Sequence, residues 1–145
     1  MRIKIIENPL IEEIEIHILC KENNDYIKQL AENLTEVQMD VTGKMQNEYV
    51  KISLRDIYYF ESVDNRTYIY CEKHVYQSDM KLYELEEQLS GTRFTRINKS
   101  CIMNISKLEK VKSQINGRLL ATLCNGENLI INRRYVPEIK RKLNR

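Results

Sequence analysis

Three short polar clusters hold the residue types that could do chemistry in this chain. They are Asn65-Arg66, Asn98-Lys99-Ser100 and Asn132-Arg133-Arg134-Tyr135. Arg and Lys reach guanine edges or phosphates, and Asn can hold adenine through two hydrogen bonds. Ser hydroxyls and main-chain N–H groups commonly donate to phosphate. Each cluster alone also has the composition of a solvated turn. Three on one chain, two of them in its basic part, favour a nucleic-acid partner. No similar set supports catalysis. The histidines are His17 and His74, and neither has a Cys or His partner at metal-binding spacing. There is no GxSxG, no HExxH and no glycine-rich phosphate loop, and the chain has four glycines in all. Glu84, Glu86 and Glu87 are spaced for a solvated helix face, not for paired acid and base work. The expectation is a protein that is not an enzyme, with no metal, cofactor or small-molecule substrate.

Charge separates the chain into two parts. Residues 1–40 carry four bases and nine acids, whereas residues 92–145 carry thirteen bases and three acids. Over 145 residues the formal net charge is only +2. A basic third invites a polyanion, and it equally fits a solvated basic face. The hydrophobic fraction is 42% and the charged fraction 30%, which suits a globular domain and excludes disorder, coiled coil and collagen-like repeats. No apolar run approaches the roughly 18 residues needed to span a bilayer. The N-terminal apolar stretch is short and ends at Glu7, unlike a signal peptide. A cytoplasmic location follows as an expectation. Cys20, Cys71, Cys101 and Cys124 are far apart without a CxxC pair, so reduced, buried thiols are expected.

The elements that must position the clusters are mostly strands. Residues 13–20 alternate strictly between polar and apolar, which predicts a half-buried strand. Asn23-Asn24-Asp25 offers helix-capping oxygens. Ile27, Leu30, Ala31 and Leu34 follow at helical spacing. Beyond this strand–helix unit the chain turns to β. Strands are predicted at 37–41 and 49–54, joined near Thr42-Gly43-Lys44, and at 57–63 and 67–71 around a tip at Asp64-Asn65-Arg66. Seven of the nine tyrosines lie between Tyr49 and Tyr83, as strands favour. A short helix after Ser78 presents Leu82, Leu85 and Leu89 on one side. Asn116-Gly117 and Asn125-Gly126 sit between β-like runs at 107–115, 118–124 and 127–131. Two such turns in succession predict a three-stranded meander with type I′ connections. Pro137 marks a final helix start, ahead of Lys140-Arg141-Lys142.

The run Phe94-Thr95-Arg96-Ile97-Asn98-Lys99-Ser100-Cys101-Ile102-Met103-Asn104 resembles the LytTR family of bacterial DNA-binding domains. The stretches 56–62, 125–127 and 131–135 match the same family in order and spacing. The resemblance covers roughly residues 40–145. It implies an elongated, mostly β fold: a stack of small antiparallel sheets with short flanking helices. Here an N-terminal strand–helix extension, residues 1–39, would be added, making the whole α+β. It also implies a transcriptional regulator that reads double-stranded DNA by laying inter-strand loops into major grooves. The contact loops carry over to Asn65-Arg66, Asn98-Lys99 and Arg133-Arg134. Lys99 and one of Arg133 or Arg134 would touch bases or adjacent phosphates. Arg96 and Ser100 would contact phosphate or support the loop, and Asn104 would tie backbone together. Cys101 stands where the family usually has an aromatic, and Asn132 replaces a common Ser. The 40 or so residues before this part cannot hold a phosphorylatable receiver domain. Dimerisation or regulation is their expected role, which gives a homodimer. Short stand-alone members also imply a small membrane-protein regulator. The alternative is a protein-interaction module of the same fold, working through its acidic N-terminal segment without DNA.

Overall fold

The computed structural model describes residues 1–143. Ile57, Tyr58, Tyr59 and Phe60 are consecutive and all buried, as are Cys101, Ile102, Met103 and Asn104. Strands covered on both faces lie between two layers of structure. These two are β3 (Ile57–Val63) and β7 (Cys101–Asn104), which pair antiparallel with Phe60 opposite Ile102. The other strands of their sheet are β1 (Asp40–Met45), β2 (Glu48–Ser53), β4 (Arg66–Cys71), β5 (Val75–Ser78) and β6 (Phe94–Asn98). The order is β2-β1-β5-β4-β3-β7-β6, and every pair is antiparallel. A second antiparallel sheet contains β8 (Leu108–Ser113), β9 (Leu119–Leu123) and β10 (Asn128–Ile131), in the order β10-β9-β8. The fold is the expected mostly β stack with short helices, and the predicted meander is its smaller sheet.

Each layer has its own core. Tyr59, Ile97 and Met103 face Leu119, Leu123 and Ile131 of the meander. Ile139 of α3 (Val136–Leu143) joins them. Phe60, Ile69 and Ile102 face the other way, against Leu82 and Leu85 of α2 (Leu82–Gln88). Tyr58 joins Tyr59 on the meander side because the β3–β4 register slips between Ile57 and Tyr59. A bulge of this kind breaks the alternation of faces. Tyr59 stacks on Tyr70 at 4.3 Å, and Phe60 tilts against Phe94 at 5.5 Å, spacings that aromatic pairs prefer.

Turn chemistry departs from the sequence reading in two places. At Asn116-Gly117 both residues are left-handed, with φ of 70° and 74°, as a type I′ turn requires. At Asn125-Gly126 only Gly126 is left-handed, so that connection is of another kind. The first hairpin turns at Gln46-Asn47, with φ of 51° and 65°, and not near Thr42-Gly43-Lys44. Gly43 lies inside β1 opposite Val50. A Cβ there would stand 2.5 Å from Ile52 Cδ1 and 2.8 Å from Tyr76 Cβ. Its glycine serves close packing within the sheet.

The strand predicted at 13–20 does not form. Residues 1–24 have no regular secondary structure, and Ile14 and Leu19 are exposed at 86% and 96%. Alternation supplies a face, but a strand also needs a neighbour to bond its main chain. The helix does form, as α1 (Asp25–Val37). Asn24 Oδ1 accepts from the Ile27 N–H at 3.0 Å, and Ile27, Leu30 and Leu34 are half-buried. Its last turn is locked to the β body. The buried Glu36 carboxylate accepts from the Arg93 main-chain N–H, and the buried Arg93 guanidinium lies 3.8 Å from Glu32.

Burial raises the Glu36 pKa, opposed by the Arg93 N–H and then by its guanidinium. The folded state therefore holds this proton more tightly than the unfolded chain does. The stability from this group is complete below the ordinary Glu pKa and is lost as pH rises through the raised value. Glu36→Gln keeps an acceptor for the Arg93 N–H but does not titrate. Thermal melts between pH 7 and pH 4.5 are expected to show the wild type gaining on Glu36→Gln as the pH falls. A gap moving the other way would mean that the Arg93 charge outweighs desolvation.

Candidate nucleic-acid interface

The three polar clusters, far apart in sequence, are joined end to end by hydrogen bonds. The β3–β4 turn contains Asp64 and Asn65, both left-handed at φ 51° and 62°. The last residues of β3 connect this turn to the β6–β7 loop, where the Ser62 N–H donates to the Ser100 carbonyl at 2.8 Å. That loop connects in turn to the end of β10. Asn98 Nδ2 donates to the Ile130 carbonyl at 3.0 Å, and the Asn132 N–H donates to the Ile97 carbonyl at 2.9 Å. A 3-10 turn, Arg133–Tyr135, follows directly and leads into α3. One continuous edge therefore carries all three clusters.

The eight residues singled out from sequence divide into two kinds. Asn65, Arg66, Lys99, Arg133 and Arg134 have exposed side chains. Arg96, Asn98 and Ser100 are half-buried and bonded inward. Arg96 Nε donates to the Asn98 carbonyl at 2.9 Å, and its Nη2 donates to the Lys99 carbonyl at 2.6 Å. Its Nη1 meets Glu86 of α2 at 3.4 Å. Asn98 Oδ1 accepts from the Ser100 N–H at 2.9 Å and from its hydroxyl at 3.1 Å. Such side-chain to main-chain bonds fix the loop by taking up the Asn98 and Lys99 carbonyls and the Ser100 N–H. Lys99 stands at the tip of that fixed loop.

The flanking loops are held in other ways. Lys81 Nζ, just ahead of α2, donates to the Asn65 carbonyl at 3.3 Å. Arg133 runs past Gly117, where a Cβ would come within 2.8 Å of Arg133 Cδ. A side chain at this left-handed position would be strained, and it would also push the Arg133 side chain aside. The Arg134 guanidinium lies over the Tyr135 ring at 5.6 Å, a distance at which a cation is attracted to the ring face. Asn104 lies at the opposite end of β7 from the loop. Its Nδ2 donates to the Ile57 carbonyl at 2.8 Å, and its Oδ1 accepts from the Ser106 N–H at 3.0 Å. It ties backbone, away from the edge that carries the three clusters.

Sequence reasoning missed Lys81, Glu86 and the Ser62–Ser100 bond. Glu86 was part of an acidic face read as wholly solvated, and only the fold brings it to Arg96. No local pattern marks Lys81. The cysteines divide: Cys101 is buried and Cys71 half-buried, whereas Cys20 and Cys124 are exposed. Burial pushes the Cys101 thiol well above its ordinary value and Cys71 up to about 11, so both stay protonated and unreactive near neutral pH.

The LytTr DNA-binding domain model matches residues 47–144. The chain belongs to the LytTR family. It is 25% identical over 143 residues to the sensory transduction protein LytT of Enterococcus faecalis, covering 95% of this chain and 58% of that protein. This chain thus spans little more than half the length of that relative. It is 26% identical over 145 residues to an uncharacterized HTH-type transcriptional regulator of Staphylococcus aureus, covering 99% of this chain and 98% of that one. A solved LytTr DNA-binding domain from Bacillus cereus superposes with a TM-score of 0.68 at 23% identity, over 73% of this chain and 97% of that one. The fold is therefore the LytTR fold. The family match begins in the β1–β2 turn, so β1 and α1 lie ahead of it.

Asn98 is the hub of the β6–β7 loop. Asn98→Ala removes the bond to the Ile130 carbonyl and both bonds from Ser100. A loss of about 1–3 kcal/mol is expected on chemical denaturation. Amide NMR should show the Ser100 and Asn132 signals displaced, with those of the remote Asn125-Gly126 turn unchanged.

Proposed function

We propose that this LytTR protein is a sequence-specific, double-stranded DNA-binding transcriptional regulator that reads major grooves through its inter-strand loops. The observation that carries this reading is the single hydrogen-bonded edge presenting Arg66, Lys99, Arg133 and Arg134. Cations at the tips of successive loops suit a duplex, whose phosphates flank each groove. In this reading Lys99 and Arg134 touch base edges or the phosphates beside them, and Asn65, Arg66 and Arg133 extend the contact. Arg96, Asn98 and Ser100 position Lys99, because their polar atoms are already committed inside the loop. Residues 40–145 form the DNA-binding domain, and residues 1–39 are an extension with a dimerising or regulatory role.

The reading includes four further points. The chain is a binder and not an enzyme, in keeping with a DNA-binding family. It acts as a homodimer. It works in the cytoplasm, where its DNA would be; among the described residues no helix is long and apolar enough to cross a membrane. A small membrane protein regulates it, as short members of this family suggest. The alternative, an interaction module without a DNA role, makes no use of the basic edge.

The decisive measurement is fluorescence anisotropy on duplex DNA from the region upstream of the protein's own gene, with a scrambled duplex as control. A preference of about 10³-fold with a steep negative salt slope is expected. Lys99→Ala and Arg134→Ala should each weaken binding by about 1–3 kcal/mol. Absence of binding at low salt, or variants indistinguishable from wild type, would replace the DNA reading with the interaction-module one.

A further inference from the structure

The first twenty residues are the least accounted-for part of the molecule. Ile3, Ile5, Ile14 and Leu19 are 81%, 87%, 86% and 96% exposed. So many large apolar side chains exposed along one short segment point to an association surface. The arm contains two alternating runs of opposite charge. Arg2-Ile3-Lys4-Ile5-Ile6 is basic, and Glu13-Ile14-Glu15-Ile16-His17 is acidic. Between them the chain turns at residues 8–11. There the Ile11 N–H donates to the Asn8 carbonyl at 3.1 Å and the Leu10 N–H to Asn8 Oδ1 at 3.0 Å.

The two runs match when laid antiparallel. With Lys4 opposite Glu13, Arg2 falls opposite Glu15 and Ile3 opposite Ile14. One face then pairs both bases with acids, and Ile3, Ile5, Ile14 and Ile16 share the other. Opposite-charge and β-branched cross-strand pairs are the ones that stabilise a sheet. Within one chain, however, no ladder joins the runs, and both remain in water. A lone two-stranded hairpin is marginal in water and would leave its isoleucine face uncovered. A second copy of the chain removes both problems. Its acidic run fits this chain's basic run, its basic run fits this chain's acidic run, and the two isoleucine faces meet. That arrangement is two-fold and self-complementary, the commonest way for identical chains to close. The charge pattern thus selects the partner, because the arm is chemically its own complement.

We propose that the arm joins two copies of this chain by pairing the basic run, residues 2–6, of each with the acidic run, residues 13–17, of the other. This deepens the homodimer of the preceding reading and gives it an interface. It does not depend on the DNA-contact assignments.

The test uses the full chain and two charge-reversed variants. In Arg2→Glu/Lys4→Glu both runs are acidic, and in Glu13→Lys/Glu15→Lys both are basic. All four positions lie in the exposed arm, and circular dichroism melts verify that the β body is intact. Light scattering after size exclusion should give a dimer for the wild type and a monomer for each variant alone. Their dimer dissociation constants should rise at least about tenfold. An equimolar mixture should regain the dimer mass, with one copy of each variant. A monomeric wild type overturns the proposal, and exposes the arm to a different protein or a membrane. Variants that dimerise as the wild type does overturn the pairing, as does a mixture that stays monomeric. Failure of the DNA reading would appear separately, in the Lys99 and Arg134 series with the arm unaltered.

Discussion

Everything in this molecule hangs on the burial of β3 and β7 from both sides. Phe60 and Ile102 look toward α2, while Tyr59 and Met103 look toward the meander. At about 25 cal/mol per Å² of apolar surface removed from water, two such layers supply the main driving force for the fold. The same arrangement sets the position of the loops. The far ends of β3, β6 and β10 reach one edge only because the layers are stacked in this register. A register slip of one residue in β3 would send Phe60 toward the meander and take the β3–β4 turn away from the Ser100 carbonyl.

Upon that frame the molecule builds a rigid edge from side-chain to main-chain hydrogen bonds, those of Arg96 among them, and leaves Arg66, Lys99, Arg133 and Arg134 exposed. Asn98 and Ser100 close the loop, Arg96 holds its carbonyls, and Glu86 steadies Arg96. The acidic N-terminal part is joined to the basic body where Glu32 and the buried Glu36 approach Arg93. Removing one partner from such a buried group costs far more than the group contributes intact. The junction therefore fixes where α1 sits more than it adds stability. The arm beyond α1 is left outside the body.

Much of this was legible in the residues. The meander announced itself through Asn116-Gly117, a dipeptide that accepts left-handed backbone at little cost, and through Asn125-Gly126, where Gly126 alone takes it. The helix α1 was legible from Asn24 and its apolar spacing. Two errors share a cause. Gly43 and the alternating run at 13–20 were read from local pattern, and in both cases a distant neighbour decided the outcome. At Gly43 the neighbours, Ile52 and Tyr76, are present and demand a glycine. At 13–20 no strand lies alongside among the described residues. The polar clusters were visible, but their division into outward and inward residues was not. Arg96 and Lys99 are both basic and three residues apart. Only the carbonyls of Asn98 and Lys99, turned toward Arg96 by the loop, show that one guanidinium works for the fold.

The bracing of that loop by Arg96 has a thermodynamic side. A flexible contact loop surrenders conformational entropy each time it docks, and that loss is subtracted from affinity. Here the ordering is done when the chain folds. In the DNA-binding reading, such a loop also loses the freedom to reshape itself around an ill-fitting base step, and its selectivity would come from rejecting wrong sequences as much as from attracting the right one.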